Sequence, residues 1–378
     1  MAENKEFKKA LEMTRPGIGK NLFSGKDLAG KHLTREHDKI DEEMNKALRG
    51  RYVVLSQDGW SNIHREPIIA SCLHVPGKTF LHDAVDVGDL TKNAEYCASL
   101  AKASIEAAEE KYGCTVIGFV SDSESKMVKV RQILHEWRGK GFIVYGCSAH
   151  YVNLAQSSAT PPSVKARIQD IQKFFRNHQK PAAKLKNLGG KIPQLPNETR
   201  WTSFSAFLET FNFNYELYLK IRDEEPELFS PHEIRILDNR QIKGAVHMLE
   251  QLELVATGLN IMQSDSSNLG DTMNTWLMLS SSPVLTDDWK TEIKARMEKA
   301  ITPPHILAYM VMNKSNSDLT VDQKQEAMDY VEQIDTRLQA VLAAFEIKDD
   351  TVFPSVAFKS VKDILAPIKY WEFCHHPH

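Results

Sequence analysis

The feature that most constrains this chain is a change of periodicity between Tyr52 and Ala155. Three strand-like runs come first, in close succession. Tyr52–Asp58 carries the apolar triplet Val53, Val54 and Leu55, and the runs Pro67–Val75 and Thr79–Val87 follow. Between the last two stands Pro76-Gly77, strong turn chemistry because proline presets one dihedral and glycine takes the positive one. These runs predict an antiparallel meander. From Thr91 the period becomes helical, with Ala94, Ala98, Ala101, Ile105 and Ala108 recurring until Gly113. A strand over Thr115–Asp122 comes next. It is followed by a helix with Met127, Val130, Leu134 and Trp137 on one stripe, a strand over Phe142–Tyr145, and a short helix over Ala149–Ala155.

Strands alternating with helices imply right-handed parallel crossovers, here appended to a meander. That succession is the ribonuclease-H-like arrangement. The expected fold class is therefore α/β, a mixed sheet followed by an α-helical insertion domain. In such an arrangement the first and fourth strands are neighbours in mid-sheet, with their C-terminal ends side by side. Each ends on a carboxylate: Asp58 before Gly59, expected to break the strand, and Asp122 before Ser123, expected to open a helix. Two such carboxylates could share Mg²⁺ or Mn²⁺, since hard cations take oxygen ligands. A pair of metal ions steadies the attacking and leaving oxygens of phosphoryl transfer. An aspartate ending a strand is also common turn or helix-cap chemistry, and Ser121-Asp122-Ser123 suits that reading too.

Residues 1–33 hold seven Lys/Arg against four Asp/Glu, interrupted by Pro16, Gly17, Gly19, Gly25 and Gly30. They read as an extended basic lead-in. Thr34 is placed to cap a helix whose stripe is Ile40, Met44 and Leu48. Residues 161–200 carry nine Lys/Arg, including Lys165, Arg167, Lys173 and Arg176, against Asp170 and Glu198. This run is either a solvated face or a DNA-binding surface, and it leads into Thr199-Arg200-Trp201. From Ser203 the chain reads almost wholly helical, with helices expected over Asn239–Met262, Trp276–Leu279, Asp287–Ala300 and Leu319–Phe345. The stripe Phe204, Phe207, Leu208, Phe211 and Tyr215 reads as core. The expected domains are a lead-in (1–33), a sheet-based core (34–202) and a helical domain (203–378).

Composition narrows the function classes. A formal net charge of -3 leaves room only for a local nucleic-acid surface. No apolar run approaches the roughly 20 residues of a membrane span, and the polar N-terminus has no signal core. Five scattered cysteines without a Cys-x-x-Cys pair point to reduced thiols in an intracellular protein. Cys147-Ser-Ala-His150 has the spacing of half a zinc site but no second ligand pair. It reads better as a strand-to-helix junction, with His150 directed to the same edge as the aspartates. The terminal Cys374-His-His-Pro-His378 is metal-like only in composition. With no Gly-rich phosphate loop, nucleophile elbow or His-Glu-x-x-His, the sequence argues against nucleotide hydrolysis, serine hydrolysis and metalloproteolysis.

Taken in order, Asp58-Gly-Trp-Ser, Val120-Ser-Asp122-Ser-Glu-Ser-Lys-Met, Cys147-Ser-Ala-His150-Tyr-Val-Asn153-Leu154 and Thr199-Arg200-Trp201 resemble the hAT superfamily of DNA transposases. The branch carrying the domain of unknown function 659 is the nearest match. Arg15-Pro16-Gly17 with Leu28-Ala-Gly30, and Ile301-Thr-Pro-Pro-His-Ile-Leu-Ala308, add to it. The resemblance implies that Asp58 and Asp122 are the first two members of an Asp-Asp-Glu metal triad. It places Cys147 and His150 beside the active site, with His150 near the scissile phosphate. Trp201, next to Arg200, would stack on a flipped base. DNA is the implied partner and the nucleus the implied location.

The departures matter equally. The family's Ser-Ala-x-x-Glu-Arg motif, its dimerisation segment and its Cys/His zinc finger are not found, and Asp122-Ser-Glu stands where the family commonly has Asp-Asn-Ala. Glu250, Glu253 and Glu372 are conceivable replacements that nothing in the sequence places beside the aspartates. The expectation is a transposase-like chain truncated at both ends, with impaired cleavage and transfer. A homo-oligomer is compatible with it. The alternative is a domesticated, non-catalytic DNA-binding or protein-interaction module.

Overall fold

The computed structural model describes residues 3–18, 22–88, 93–159, 162–196, 203–238, 245–312, 318–334, 336–346 and 351. The chain divides into two compact units, Met1–Phe119 and Val120–His378.

The first unit begins with helix α1, Lys5–Thr14, where the Asn4 side chain accepts the Phe7 N–H. A helical turn over Gly25–Asp27, with a reciprocal Ser24/Asp27 capping box, runs through a π-helical stretch into α2, Leu33–Leu48. The lead-in is thus helical where an extended segment was expected. Asn4 and Ser24 supply caps that satisfy first-turn amides, so the prolines and glycines bound helices without abolishing them. Thr34 lies inside the helix. Met44 and Leu48 are buried, whereas Ile40 is exposed.

Strands β1 (Tyr52–Ser61), β2 (Pro67–Val75) and β3 (Lys78–Asp86) form the antiparallel meander. Gly77 takes the positive φ of 75° that the Pro-Gly turn demands. Helix α3, Ala94–Tyr112, is capped by Asn93 and stopped by Gly113 at a φ of 61°. Its buried side is made of small residues, Ala94, Cys97, Ala98, Ala101, Ser104 and Ala108, with Ile105. Ser104 Oγ donates to Ser71 Oγ on β2 at 3.3 Å, so this side lies close against the meander.

Strand β4, Thr115–Ser121, starts in the first unit and ends in the second. The mixed five-stranded sheet has the order β3-β2-β1-β4-β5, with β5 at Ile143–Gly146. Strand one lies between strands two and four, as the change of period anticipates.

In the second unit α4 (Ser125–Arg138) and α5 (Ser148–Ala159) flank β5. Helices α6 (Pro162–Asn177), α7 (Gln179–Asn187), α8 (Ser203–Glu224), α9 (Pro231–Leu237), α10 (Ala245–Met262), α11 (Leu269–Ser281) and α12 (Asp287–Ala300) follow. The series closes with α13 (Pro303–Met312), α14 (Val321–Ile334) and α15 (Thr336–Glu346). Phe207, Leu208, Phe211 and Tyr215 of α8 are all buried, so the aromatic stripe is core. Phe175 and Tyr218 stack at 4.1 Å between ring centroids. A second cluster joins Met273, Ile306, Tyr309, Met310, Leu319, Ala327, Val331 and Leu342. No described helix is long and apolar enough to cross a membrane.

Candidate functional site

Asp58 does not end its strand. Gly59 stays in register opposite Ile69, and Trp60 and Ser61 continue the ladder opposite Ile68 and Pro67. A glycine breaks a strand only where the chain leaves the ladder; here a hairpin bound through Asn62 and Glu66 holds it in. Asp58 is therefore an exposed mid-strand carboxylate, opposite Ala70, with Oδ1 accepting the Gly59 N–H at 2.8 Å. Its face of the sheet also holds Ser56, whose Oγ lies 2.6 Å from His74 Nε2, and Thr79, whose Oγ1 lies 3.0 Å from His74 Nδ1. Cys72 sits opposite Ser56, and burial, then the Asp58 charge, pushes its thiol above the usual pKa. On the other face Gln57 is buried, with neither amide atom partnered.

Asp122 follows β4 directly, as expected. Its Oδ1 accepts the Glu124 N–H at 2.9 Å, so the carboxylate also organises the turn that delays α4 to Ser125. The sequence reading missed the group that fixes this turn. Arg131, on the buried stripe of α4, donates from Nη1 to Ser121 Oγ at 2.7 Å and to the Asp122 carbonyl at 2.6 Å. Its signal was an arginine between Val130 and Leu134 on an otherwise apolar face, where charge is rarely buried.

The β5–α5 junction stands on the same framework. Cys147 N–H donates to the Ser121 carbonyl at 2.7 Å. A Cβ at Gly146 would come within 2.8 Å of Tyr151 Cε2, so the Tyr151 ring requires glycine there. His150 is half-buried in the first turn of α5. Two residues from the helical half hold this junction. Trp276 Nε1–H donates to Ser148 Oγ at 3.2 Å, and His305 meets Tyr145 edge to face at 5.1 Å. His305 is fully buried, and burial lowers its pKa to about 4. Burial likewise pushes the Tyr145 hydroxyl up to about 12.

The basic segment folds as α6 and α7. Val164, Ile168, Ile171, Phe174 and Phe175 face the core. Lys165, Lys173 and Arg176 are exposed along the opposite side at helical spacing, and Arg167 is half-buried off that ridge. Several cations in the segment already have partners: Lys184 pairs with Glu225, Lys191 with Glu209, and Arg176 donates to the Pro193 carbonyl. Arg200 and Trp201 lie outside the described residues.

The carboxylates of Asp58 and Asp122 are the right donor type for Mg²⁺ or Mn²⁺. Among the described residues, however, no three His, Cys, Asp or Glu side chains converge to hold a metal ion. The donor set shown is therefore short of a complete metal site.

Residues 23–173 match the family model described as Domain of unknown function (DUF659). That domain is found in hAT-like transposase-related proteins. The DUF659 segment runs from the turn before α2 through the whole sheet into α6. It takes in Asp58, Asp122, His150, Lys165, Arg167 and Lys173, but not Arg176, Arg200, Trp201 or the helices from α7 onward. No curated protein matches the chain.

Proposed function

We propose that this chain is a relative of hAT transposases whose ribonuclease-H-like core binds DNA in the nucleus, with metal-dependent strand cleavage weak or lost. The observation that carries the reading is the sheet order β3-β2-β1-β4-β5 built on a DUF659 segment. In this reading Asp58 and Asp122 descend from metal-binding carboxylates for Mg²⁺ or Mn²⁺, and His150 from a residue beside the scissile phosphate. With no third ligand among the described residues, we assign them no cleavage step. Lys165, Lys173 and Arg176 are the cations proposed to meet DNA phosphates, with Arg167, Arg200 and Trp201 as further contacts.

Binding to duplex DNA, followed by anisotropy between about 50 and 200 mM salt, tests the proposal. Each phosphate-contacting cation replaced by glutamine should flatten the log–log salt slope by about one. Asp58→Ala and Asp122→Ala should leave that binding unchanged. Binding without salt dependence would remove the DNA-binding reading. Robust Mn²⁺-dependent nicking that Asp58→Ala abolishes would instead restore a working nuclease.

A further inference from the structure

The exposed side of the meander carries a relay of three side chains that the DNA-binding reading does not use. Val54, His74 and Thr79 stand directly opposite one another across β1, β2 and β3. The next rung on the same face is Ser56, Cys72 and Leu81. Ser56 Oγ lies 2.6 Å from His74 Nε2, and Thr79 Oγ1 lies 3.0 Å from Nδ1. A neutral imidazole has one N–H, so one hydroxyl accepts from the ring and the other donates to it. With the proton on Nδ1, Thr79 accepts it and the Ser56 hydroxyl donates to Nε2. That is the order of nucleophile, base and orienting group, which is defined by geometry and not by sequence position. Here the three groups come from three strands, so no nucleophile elbow is required. Ser56 and His74 are half-buried and Thr79 is exposed, which leaves the pair open to a small substrate. Cys72 stands beside Ser56, but burial, then the Asp58 charge, keeps its thiol above the usual pKa and so protonated. Leu81, 61% exposed, and the half-buried Val54 add apolar surface around the relay.

We propose that Ser56 is a nucleophilic serine, with His74 as its general base and Thr79 as the positioning residue. Its substrate class is a small activated ester of an apolar carboxylic acid. Ser56 Oγ forms the new bond to the acyl carbon as its proton passes to His74 Nε2. The bond to the leaving alcohol breaks, and that alcohol takes the proton from Nε2. Water, deprotonated by the same nitrogen, then releases the acid and restores the hydroxyl. Strand β1 lies between β2 and β4, so its amides are committed to the ladder rather than to an oxyanion. Solvent must serve the developing charge, which forgoes about 10²–10³ in rate per missing donor and confines the site to good leaving groups. The proposal does not depend on DNA binding.

The test is brief exposure of the full chain to p-nitrophenyl acetate, with the acetylated residues located by peptide mass mapping. Ser56 should be acetylated at least about 100-fold faster than Ser61, an exposed serine on the same strand, because a positioned base is worth roughly 10²–10⁴ in rate. His74→Gln should bring Ser56 down to the rate of Ser61. Thr79→Val should slow Ser56 several-fold, and Thr79→Ser should restore it. p-Nitrophenyl butyrate should acylate Ser56 faster than the acetate does, and Leu81→Asn should erase that preference. Equal acetylation of Ser56 and Ser61, or an unchanged Ser56 rate in His74→Gln, overturns the proposal. If His74→Gln does not fold, the ratio of Ser56 to Ser61 in wild type decides alone. A full rate in Thr79→Val overturns the positioning role, and butyrate no faster than acetate overturns the apolar class.

Discussion

The indole N–H of Trp276 donates to Ser148 Oγ at 3.2 Å, joining residues 128 positions apart. Trp276 is fully buried in α11, while Ser148 opens the helix that carries His150. Ser148→Ala should cost about 1 kcal/mol, and Trp276→Phe somewhat more because it also leaves a small void. The double variant should cost less than the sum, with a coupling of about 0.5–1 kcal/mol in urea unfolding. Strict additivity would mean that the hydrogen bond contributes nothing to stability.

His305 gives a pH dependence with a definite sign. The Thr302 N–H lies 3.2 Å from Nδ1 and can only donate, so Nδ1 accepts and the proton sits on Nε2, which has no partner. The pKa falls from 6.5 to about 4 on folding. Above about pH 6.5 the ring is neutral in both states. As pH falls through the window from about 6.5 to about 4, only the unfolded chain takes up the proton, and roughly 3 kcal/mol of stability drains away. Below that window this residue contributes no further loss. His305→Asn, which keeps an acceptor for Thr302, should flatten the stability profile across the same window.

Gly146→Ala should destabilise by about 1–3 kcal/mol, since its Cβ meets the Tyr151 ring at 2.8 Å. Removing the ring with Tyr151→Ala should make the added methyl nearly free in that background. A chemical-denaturation cycle over the four proteins reads the effect. An equal penalty with and without the ring would point to the backbone instead.

Asp58 and Gln57 are adjacent but should respond in opposite ways. Asp58 is exposed and, among the described residues, bonds only the following amide, so Asp58→Ala should change stability by no more than about 0.5 kcal/mol. Gln57 is 3% exposed with both amide atoms unpaired, so Gln57→Met should stabilise the protein by about 1 kcal/mol. Thermal melts of the two variants decide this, and a loss of stability in Gln57→Met would reveal a polar partner for that amide.

What was legible in the sequence was local. The bounds Pro67–Val75 and Asp287–Ala300 match the observed elements, because periodicity and flanking turn residues act over a few positions. The end of β1 was misplaced because pairing with β2, rather than Gly59 itself, decides how long the strand runs. Helix α13 went unread as a helix, since Thr302-Pro303-Pro304 looks like a break although proline suits a first turn. The groups that set the Asp122 turn and the His150 helix were least legible. Arg131, Trp276 and His305 reach them, or the strand between them, only through folding, from 9 positions away (Arg131 to Asp122) to 160 (His305 to Tyr145).

A single residue, Cys147, separates Gly146 of β5 from Ser148 of α5, and its amide is tied to Ser121. That spacing sets the rotational phase of the helix. One residue inserted there would swing His150 about 100° around the helix axis and carry it about 1.5 Å along it. The turn on the other side of β5 lies outside that link; it is closed by the Phe142 N–H donating to the Gly139 carbonyl at 3.0 Å.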